Sequence, residues 1–180
     1  MPGMIAANAD ARHIARMNAY RERTAAGVAA LAAGAALVVA LLSESVLGLV
    51  PCALCLWERW PYRIAIGLAL LALVVPRRWV RSLLVLTGVA ILAGAGLAAM
   101  HVGVEQGWWP SPLPECAAPR LGGGSIAERL ARMPASPAKP CDEPAYLLPG
   151  VPVSMAAMNF LFALALAAGL AIWGKWRRKA

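Results

Sequence analysis

The sequence predicts an all-α membrane protein: a four-transmembrane-helix bundle with two extracytoplasmic loops, the second containing a short amphipathic helix. Three observations carry this. Of 180 residues, 61% are hydrophobic and 14% charged, against roughly 45–50% apolar and ~25% charged in a soluble domain. Apolar runs of membrane-crossing length recur along the chain. The 17 Lys and Arg are distributed unevenly around those runs. Such a composition excludes disorder, whose defining feature is low hydrophobicity, and exceeds what one small core can bury.

Residues 1–23 carry Arg12, Arg16, Arg21 and Arg23 and read as a cytoplasmic N-terminal segment. Residues 24–42 hold no charge and form the first expected span, since ~20 helical residues cross a hydrocarbon core of about 30 Å. This run is longer than the apolar core of a usual signal peptide, so a retained helix is expected. Residues 43–57 form the first outer loop. The second span, 58–75, is the weakest, because its apolar run covers only 64–75 and reaches spanning length by taking in Trp60, Pro61, Tyr62 and Arg63. Arg77, Arg78 and Arg81 mark a turn at 76–81, and 82–100 form the third span. Residues 101–152 make the second outer loop, 153–173 the fourth span, and 174–180 a tail with Lys175, Arg177, Arg178 and Lys179.

The basic residues set the orientation. Eleven of the 17 lie in the N-terminal segment, the middle turn and the tail, opposed only by Asp10 and Glu22. By the positive-inside rule both termini and that turn are cytoplasmic and the two loops face outward. The net charge of +8 is then a topology signal rather than a nucleic-acid footprint. All seven tryptophans, at 57, 60, 79, 108, 109, 173 and 176, fall near span ends as an interfacial aromatic belt requires. Ala90, Gly94 and Ala98 form a small-residue stripe able to seat a neighbouring helix.

The second loop holds ten of the 14 prolines and a glycine run at 122–124, a composition that favours extended, mobile backbone. Within it, Ser125 and Glu128 match a capping box, and Ile126, Leu130 and Met133 recur at helical spacing opposite Arg129 and Arg132. A short surface helix is expected there, lying either on the membrane or in solvent.

All four cysteines, Cys52, Cys55, Cys116 and Cys141, fall in the outward loops, where disulfides are permitted. Four cysteines allow three pairings, and the residues alone do not choose among them. Two structural bridges bracing the loops are one reading, in which the chain is a non-enzymatic scaffold. Against it, Cys52-Ala53-Leu54-Cys55 closes too small a ring to restrain much chain entropy and has the spacing of a redox motif. A four-thiolate zinc site lacks knuckle spacing in its second pair, and no metal is expected. Pro51 suits a helix start, which would set Cys52 and Cys55 on one face near a helix N-terminus whose partial charge stabilises a thiolate. Arg59, one turn past Cys55, can stabilise a thiolate or donate to a developing oxyanion; anchoring the helix end is its bland alternative.

Pro51-Cys52-Ala53-Leu54-Cys55-Leu56-Trp57-Glu58-Arg59 resembles the signature of the DsbB family of quinone-dependent disulfide-forming membrane proteins. His101-Val102-Gly103-Val104-Glu105, Cys141-Asp142, Ser154-Met155-Ala156 and Asn159 resemble one branch of that family; residues 1–20 match nothing in it. The resemblance implies a bacterial inner membrane, a bound ubiquinone or menaquinone, and a soluble periplasmic thioredoxin-like partner of the DsbA kind. It further implies that Cys55 contacts the quinone, that Arg59 lines its site, and that Cys116 and Cys141 oxidise the partner, with Cys116 the sulfur attacked. His101, one turn from Glu105 at the end of the third span, either shuttles protons to the quinone or forms an inert interfacial pair. Asn159 is expected to make an interhelical hydrogen bond.

Overall fold

The computed structural model describes residues 2–116, 125–131, 139–147 and 150–176. The glycine run at 122–124, Arg132, Met133 and residues 177–179 lie outside them. The named elements of the described chain are all helical: α1 (Pro2–Ser45), α2 (Ala53–Trp57), α3 (Arg59–Val74), α4 (Arg77–Glu105), a 3₁₀ turn (Pro114–Cys116), α5 (Ile126–Ala131) and α6 (Met155–Trp176). Among the described residues there is no strand, only an isolated antiparallel bridge between Tyr146 and Ser154.

Helix α1 begins at Pro2, a position where a missing N–H costs nothing, and continues for 44 residues. At 1.5 Å per residue that is ~66 Å, about twice the hydrocarbon thickness. The basic N-terminal segment is therefore helical and continuous with the apolar run behind it. Among the described residues, three helices are long and apolar enough to cross a membrane: Arg16–Ser45 within α1, all of α4, and Met155–Gly174 within α6. The expected second span, α3, has 16 residues, or ~24 Å, and falls short of that measure.

Prolines bound α3 on both sides. Pro61 cannot donate to the carbonyl of Trp57, and its ring crowds that carbonyl, so the helix interrupts at Glu58, which caps both α2 and α3. Pro76 disfavours helical backbone at Val75, which is extended at ψ 160° and ends the helix. Val75 and Pro76 then connect α3 to α4 as a tight hairpin. Helix α2 does not start with Pro51 at its first position, as the sequence suggested. Cys52 is the N-cap and Pro51 precedes it.

Small residues make the helix contacts. Ala26, Ala29 and Ala33 on α1, Ala65, Ala69 and Ala72 on α3, Ala95 and Ala98 on α4, and Ala163 and Ala167 on α6 are all buried. Leu31, Val38, Leu70, Val74, Val85 and Leu161 point outward and are more than half exposed. This arrangement suits lipid, where hydrophobic side chains need no burial and close backbone approach supplies the packing. Gly94 shows how close that approach is: a Cβ there would lie 3.0 Å from Pro61 Cβ. The stripe of Ala90, Gly94 and Ala98 thus seats α3. Helix α6 packs on α4 and α1 on α3, and both cysteine-bearing loops meet at one end, where Cys52, Leu54, Val104, Cys116 and Cys141 form one buried cluster.

Candidate functional site

The site begins with a helix cap. Cys52 has extended backbone (φ −79°, ψ 171°), and its sulfur accepts a hydrogen bond from the Cys55 N–H at 3.2 Å. The two-residue spacing of the motif is that of an N-cap and the third helical residue, so the cap itself brings the sulfurs together. They lie 2.9 Å apart, both as thiols. A hydrogen bond from the Cys55 thiol, opposed by burial and helped by His101, holds Cys52 down at about 4. The same bond, together with burial and the charge on Cys52, pushes Cys55 well above the ordinary thiol range. In the reduced pair the negative charge belongs to Cys52.

A buried polar chain supports this pair. His101, 3% exposed in the last turn of α4, sets Nε2 3.5 Å from Cys52 Sγ. Its Nδ1 lies 2.6 Å from Glu58 Oε1. The other oxygen of Glu58 accepts from Asn159 Nδ2 at 2.6 Å, and Asn159 Oδ1 accepts from the Tyr62 hydroxyl at 2.6 Å. Thiol, imidazole, carboxylate, amide and phenol thus tie together the α2–α3 junction, α4 and α6. Asn159 makes the interhelical bond the sequence led us to expect. His101 and Glu105 are 4.0 Å apart, but the tight partner of His101 is Glu58, and Glu105 takes the Ser154 hydroxyl instead.

Arg59 faces a different side. Its two terminal nitrogens both reach the Glu44 carboxylate at the end of α1, one of them at 3.4 Å. Its Nε is buried with no partner. Arg59 and Cys55 share the wall of a cavity of about 290 Å³ with Glu58, Tyr62 and Asn159, and with Ala36 and Ala40 of α1 and Phe162 of α6.

Cys116 and Cys141 are joined as a disulfide. Both are buried, and they pack against Cys52 and Leu54, with Cys55 at the edge of the same cluster. The start of the second loop is anchored rather than loose. The Trp109 ring lies on Gly103, where a Cβ would meet it at 2.0 Å, and its indole N–H donates to Met100 O at 3.0 Å. Farther along, Ser125 and Glu128 form the reciprocal capping box anticipated for α5.

Of the residues singled out from sequence, Cys52, Cys55 and His101 therefore meet in one cluster. Cys116 and Cys141 adjoin it, and Arg59 stands on the cavity wall beside Cys55. Three participants were missed, the Tyr62 hydroxyl and the two carboxylates Glu44 and Glu58. The signal for the two carboxylates was present: the rule that flags an ionisable residue at membrane depth, applied to Arg59, covers them equally.

The comparisons with known proteins follow the same lines. A family model described as "Disulfide bond formation protein DsbB" matches residues 22–173. An uncharacterized protein of Rickettsia prowazekii (strain Madrid E), RP370, is 32% identical over 133 residues, covering 73% of this chain and 75% of that protein. Disulfide bond formation protein B of Aeromonas salmonicida (strain A449) is 36% identical over 80 residues, covering 43% of this chain and 45% of its own. No solved structure matches.

Proposed function

This chain belongs to the DsbB family of disulfide bond formation proteins, and from that premise we propose that it reoxidises a soluble DsbA-like dithiol protein and delivers two electrons to a membrane quinone. The observation that carries the reading is the position of the Cys52/Cys55 pair. It lies between the buried Cys116–Cys141 disulfide on one side and the cavity lined by Cys55 and Arg59 on the other.

The exchange runs in balanced steps. A partner thiolate attacks Cys116, Cys141 leaves, and the partner's second thiol displaces Cys116; the partner gains a disulfide and the loop becomes a dithiol. Because Cys116 is 4% exposed, the loop must lift for this attack. A loop thiolate then attacks Cys52 of an oxidised Cys52/Cys55 pair, and Cys55 leaves with its electron pair. The second loop thiol restores the Cys116–Cys141 bond by displacing Cys52. A thiol of low pKa leaves readily, so the cap geometry and His101 favour this release. The arrangement described above, with the loop disulfide closed and Cys52 and Cys55 as thiols, corresponds to the end of this sequence.

The same geometry gates Cys55. Its proton is held by the hydrogen bond and charge of Cys52. Once Cys52 is tied into an interloop disulfide both influences vanish and burial remains, so the Cys55 thiolate released in that step is less disfavoured beside the cavity.

A quinone fits the residues present. The cavity is largely apolar, has a size near the lower end for small-molecule sites, and has Arg59 in its wall, whose guanidinium can donate to a carbonyl oxygen. When bound, a quinone supplies an acceptor for two electrons and two protons. Arg59, fixed by Glu44, would hold its oxygen, while Tyr62 and Phe162 would flank the ring.

We further propose four crossings. The two cysteine loops share one end, so α3 and α4 together must leave that end and return to it. The basic clusters then favour cytoplasmic termini, with the loops in the periplasm of a bacterial inner membrane.

The test is turnover of a reduced thioredoxin-fold partner by detergent-purified protein with ubiquinone or menaquinone, followed by quinone absorbance. Stoichiometric quinone loss, abolished by Cys55→Ser, is expected. Partner oxidation independent of quinone would overturn the quinone step, and none at all would overturn the reading in favour of braced scaffold loops. With a partner lacking its resolving cysteine, a reductant-sensitive adduct should map to Cys116.

A further inference from the structure

We propose that the reduced Cys52/Cys55 pair and His101 form a binding site for Zn²⁺, and that occupancy of this site holds the pair in its reduced state. Cys52 Sγ, Cys55 Sγ and His101 Nε2 all lie within 4.8 Å of one another. The sequence had pointed only to a four-cysteine set, which failed on spacing. The ligand it could not supply is His101, brought in from the end of α4, 49 residues away.

The donor set and its support suit zinc. Two thiolates and an imidazole nitrogen are its ordinary ligands, at about 2.3 Å for sulfur and 2.0–2.1 Å for nitrogen, and tetrahedral angles then separate sulfur from nitrogen by about 3.6 Å and the sulfurs by about 3.8 Å. Cys52 Sγ and His101 Nε2 are already 3.5 Å apart. The sulfurs, at 2.9 Å, need open by a little under ~1 Å, a rotation of the Cys55 side chain away from the cap. Two-residue spacing at a helix N-terminus is also the spacing of a zinc knuckle half-site.

Around these ligands the orienting partner is in place. His101 directs Nδ1 at Glu58 at 2.6 Å, which leaves Nε2 as the ligating atom and fixes the ring plane. A carboxylate behind a ligating histidine is the usual second support of a zinc site. Glu58 is itself held by Asn159. Glu105, 4.0 Å from Nε2, or water would complete a fourth position.

Binding exchanges the thiol and imidazole protons at these atoms for the cation; no electron moves. Both sulfur lone pairs then serve the metal, so neither thiolate is free to form the Cys52–Cys55 bond. The oxidised pair offers no thiolate and no site. The blocking consequence rests on the proposed exchange cycle, whereas binding itself does not.

The experiment uses the full chain carrying Cys116→Ser and Cys141→Ser, reduced with a phosphine and titrated anaerobically with Co²⁺ as a spectroscopic stand-in. One equivalent should give thiolate-to-metal bands in the near ultraviolet and the strong visible bands of four-coordinate cobalt, both bleached by Zn²⁺. Glu58→Gln should weaken Zn²⁺ binding by about 10–100-fold, and His101→Ala by at least as much. Absence of the thiolate bands, equal binding by oxidised protein, or unaltered affinity in His101→Ala would overturn the site. The comparison of reduced with oxidised protein needs no substitution at the site and decides the question even if His101→Ala fails to fold. In the unsubstituted protein, Zn²⁺ should stop turnover and a chelator restore it. Cobalt bands accompanied by undiminished turnover under saturating Zn²⁺ would instead overturn the role given to the pair in the exchange cycle.

Discussion

Replacing Cys55 by alanine, in a chain whose loop cysteines are serine, leaves Cys52 as the single thiol and isolates what holds its charge. Cys52 sits at about 4, and the foremost cause is the hydrogen bond from the Cys55 thiol across 2.9 Å. A hydrogen bond to a charged group contributes about 1.5–3 kcal/mol, and one pKa unit is about 1.36 kcal/mol. Losing it should therefore raise Cys52 by about one to two units, to about 5–6. The Cys55 backbone N–H and His101 remain, and they should keep it well below the ordinary thiol value of ~8.5. The sign follows from the direction: a lowered pKa means the thiolate prevails above about 4 and is lost as pH falls through that value. In the variant that loss begins at higher pH. Thiolate ultraviolet absorbance of purified protein against pH gives the midpoint directly, and adding His101→Ala should raise it again. An unmoved midpoint would refute the hydrogen bond between the thiols. A midpoint at the ordinary thiol value in Cys55→Ala alone would refute the contribution of His101.

Arg59→Gln removes the N–H proposed to meet a quinone oxygen; loss of a charge-assisted bond of roughly 1.5–3 kcal/mol should raise the apparent KM for quinone tenfold or more. Thiol exchange at Cys116–Cys141 should be unaffected, and steady-state kinetics in quinone separate the two. Gly103→Ala drives a methyl into the Trp109 ring and should destabilise the fold by about 1–3 kcal/mol. Gly96→Ala, with nothing within 4 Å of the added methyl, should not, as thermal melts in detergent would show. A reporter fused after Ala180 should behave as cytoplasmic and one inserted at Gly123 as exported; the reverse would place the cysteines in a reducing compartment and remove the basis of the exchange cycle.

Local and near-local patterns were readable from the chain itself. Uncharged runs marked the helices because a membrane-crossing segment must satisfy its own backbone and present apolar side chains to lipid. The two-residue cysteine spacing announced a redox pair at a helix start, though not that Cys52 would be the cap, and Ser125 with Glu128 announced a capping box, since each depends on atoms three residues apart. The small-residue stripe on α4 announced a close neighbour without saying which, and Pro61 of α3 turned out to fill it.

What the tertiary structure decided are the partners across sequence distance. Glu58 reaches His101 over 43 residues and Asn159 over 101, and no periodicity in one helix encodes which carboxylate a histidine on another will meet. The same holds for the Arg59–Glu44 pair, which occupies the two terminal nitrogens of Arg59 and leaves its buried Nε without a partner. Even the break at Glu58, though caused locally by Pro61, acquires its consequence only in three dimensions, by presenting one carboxylate to α4 and α6 at once. In this chain sequence placed the sulfurs and the helices; packing chose the charges that stand beside them, because charge partners inside a bundle are selected by desolvation and proximity after the helices have docked.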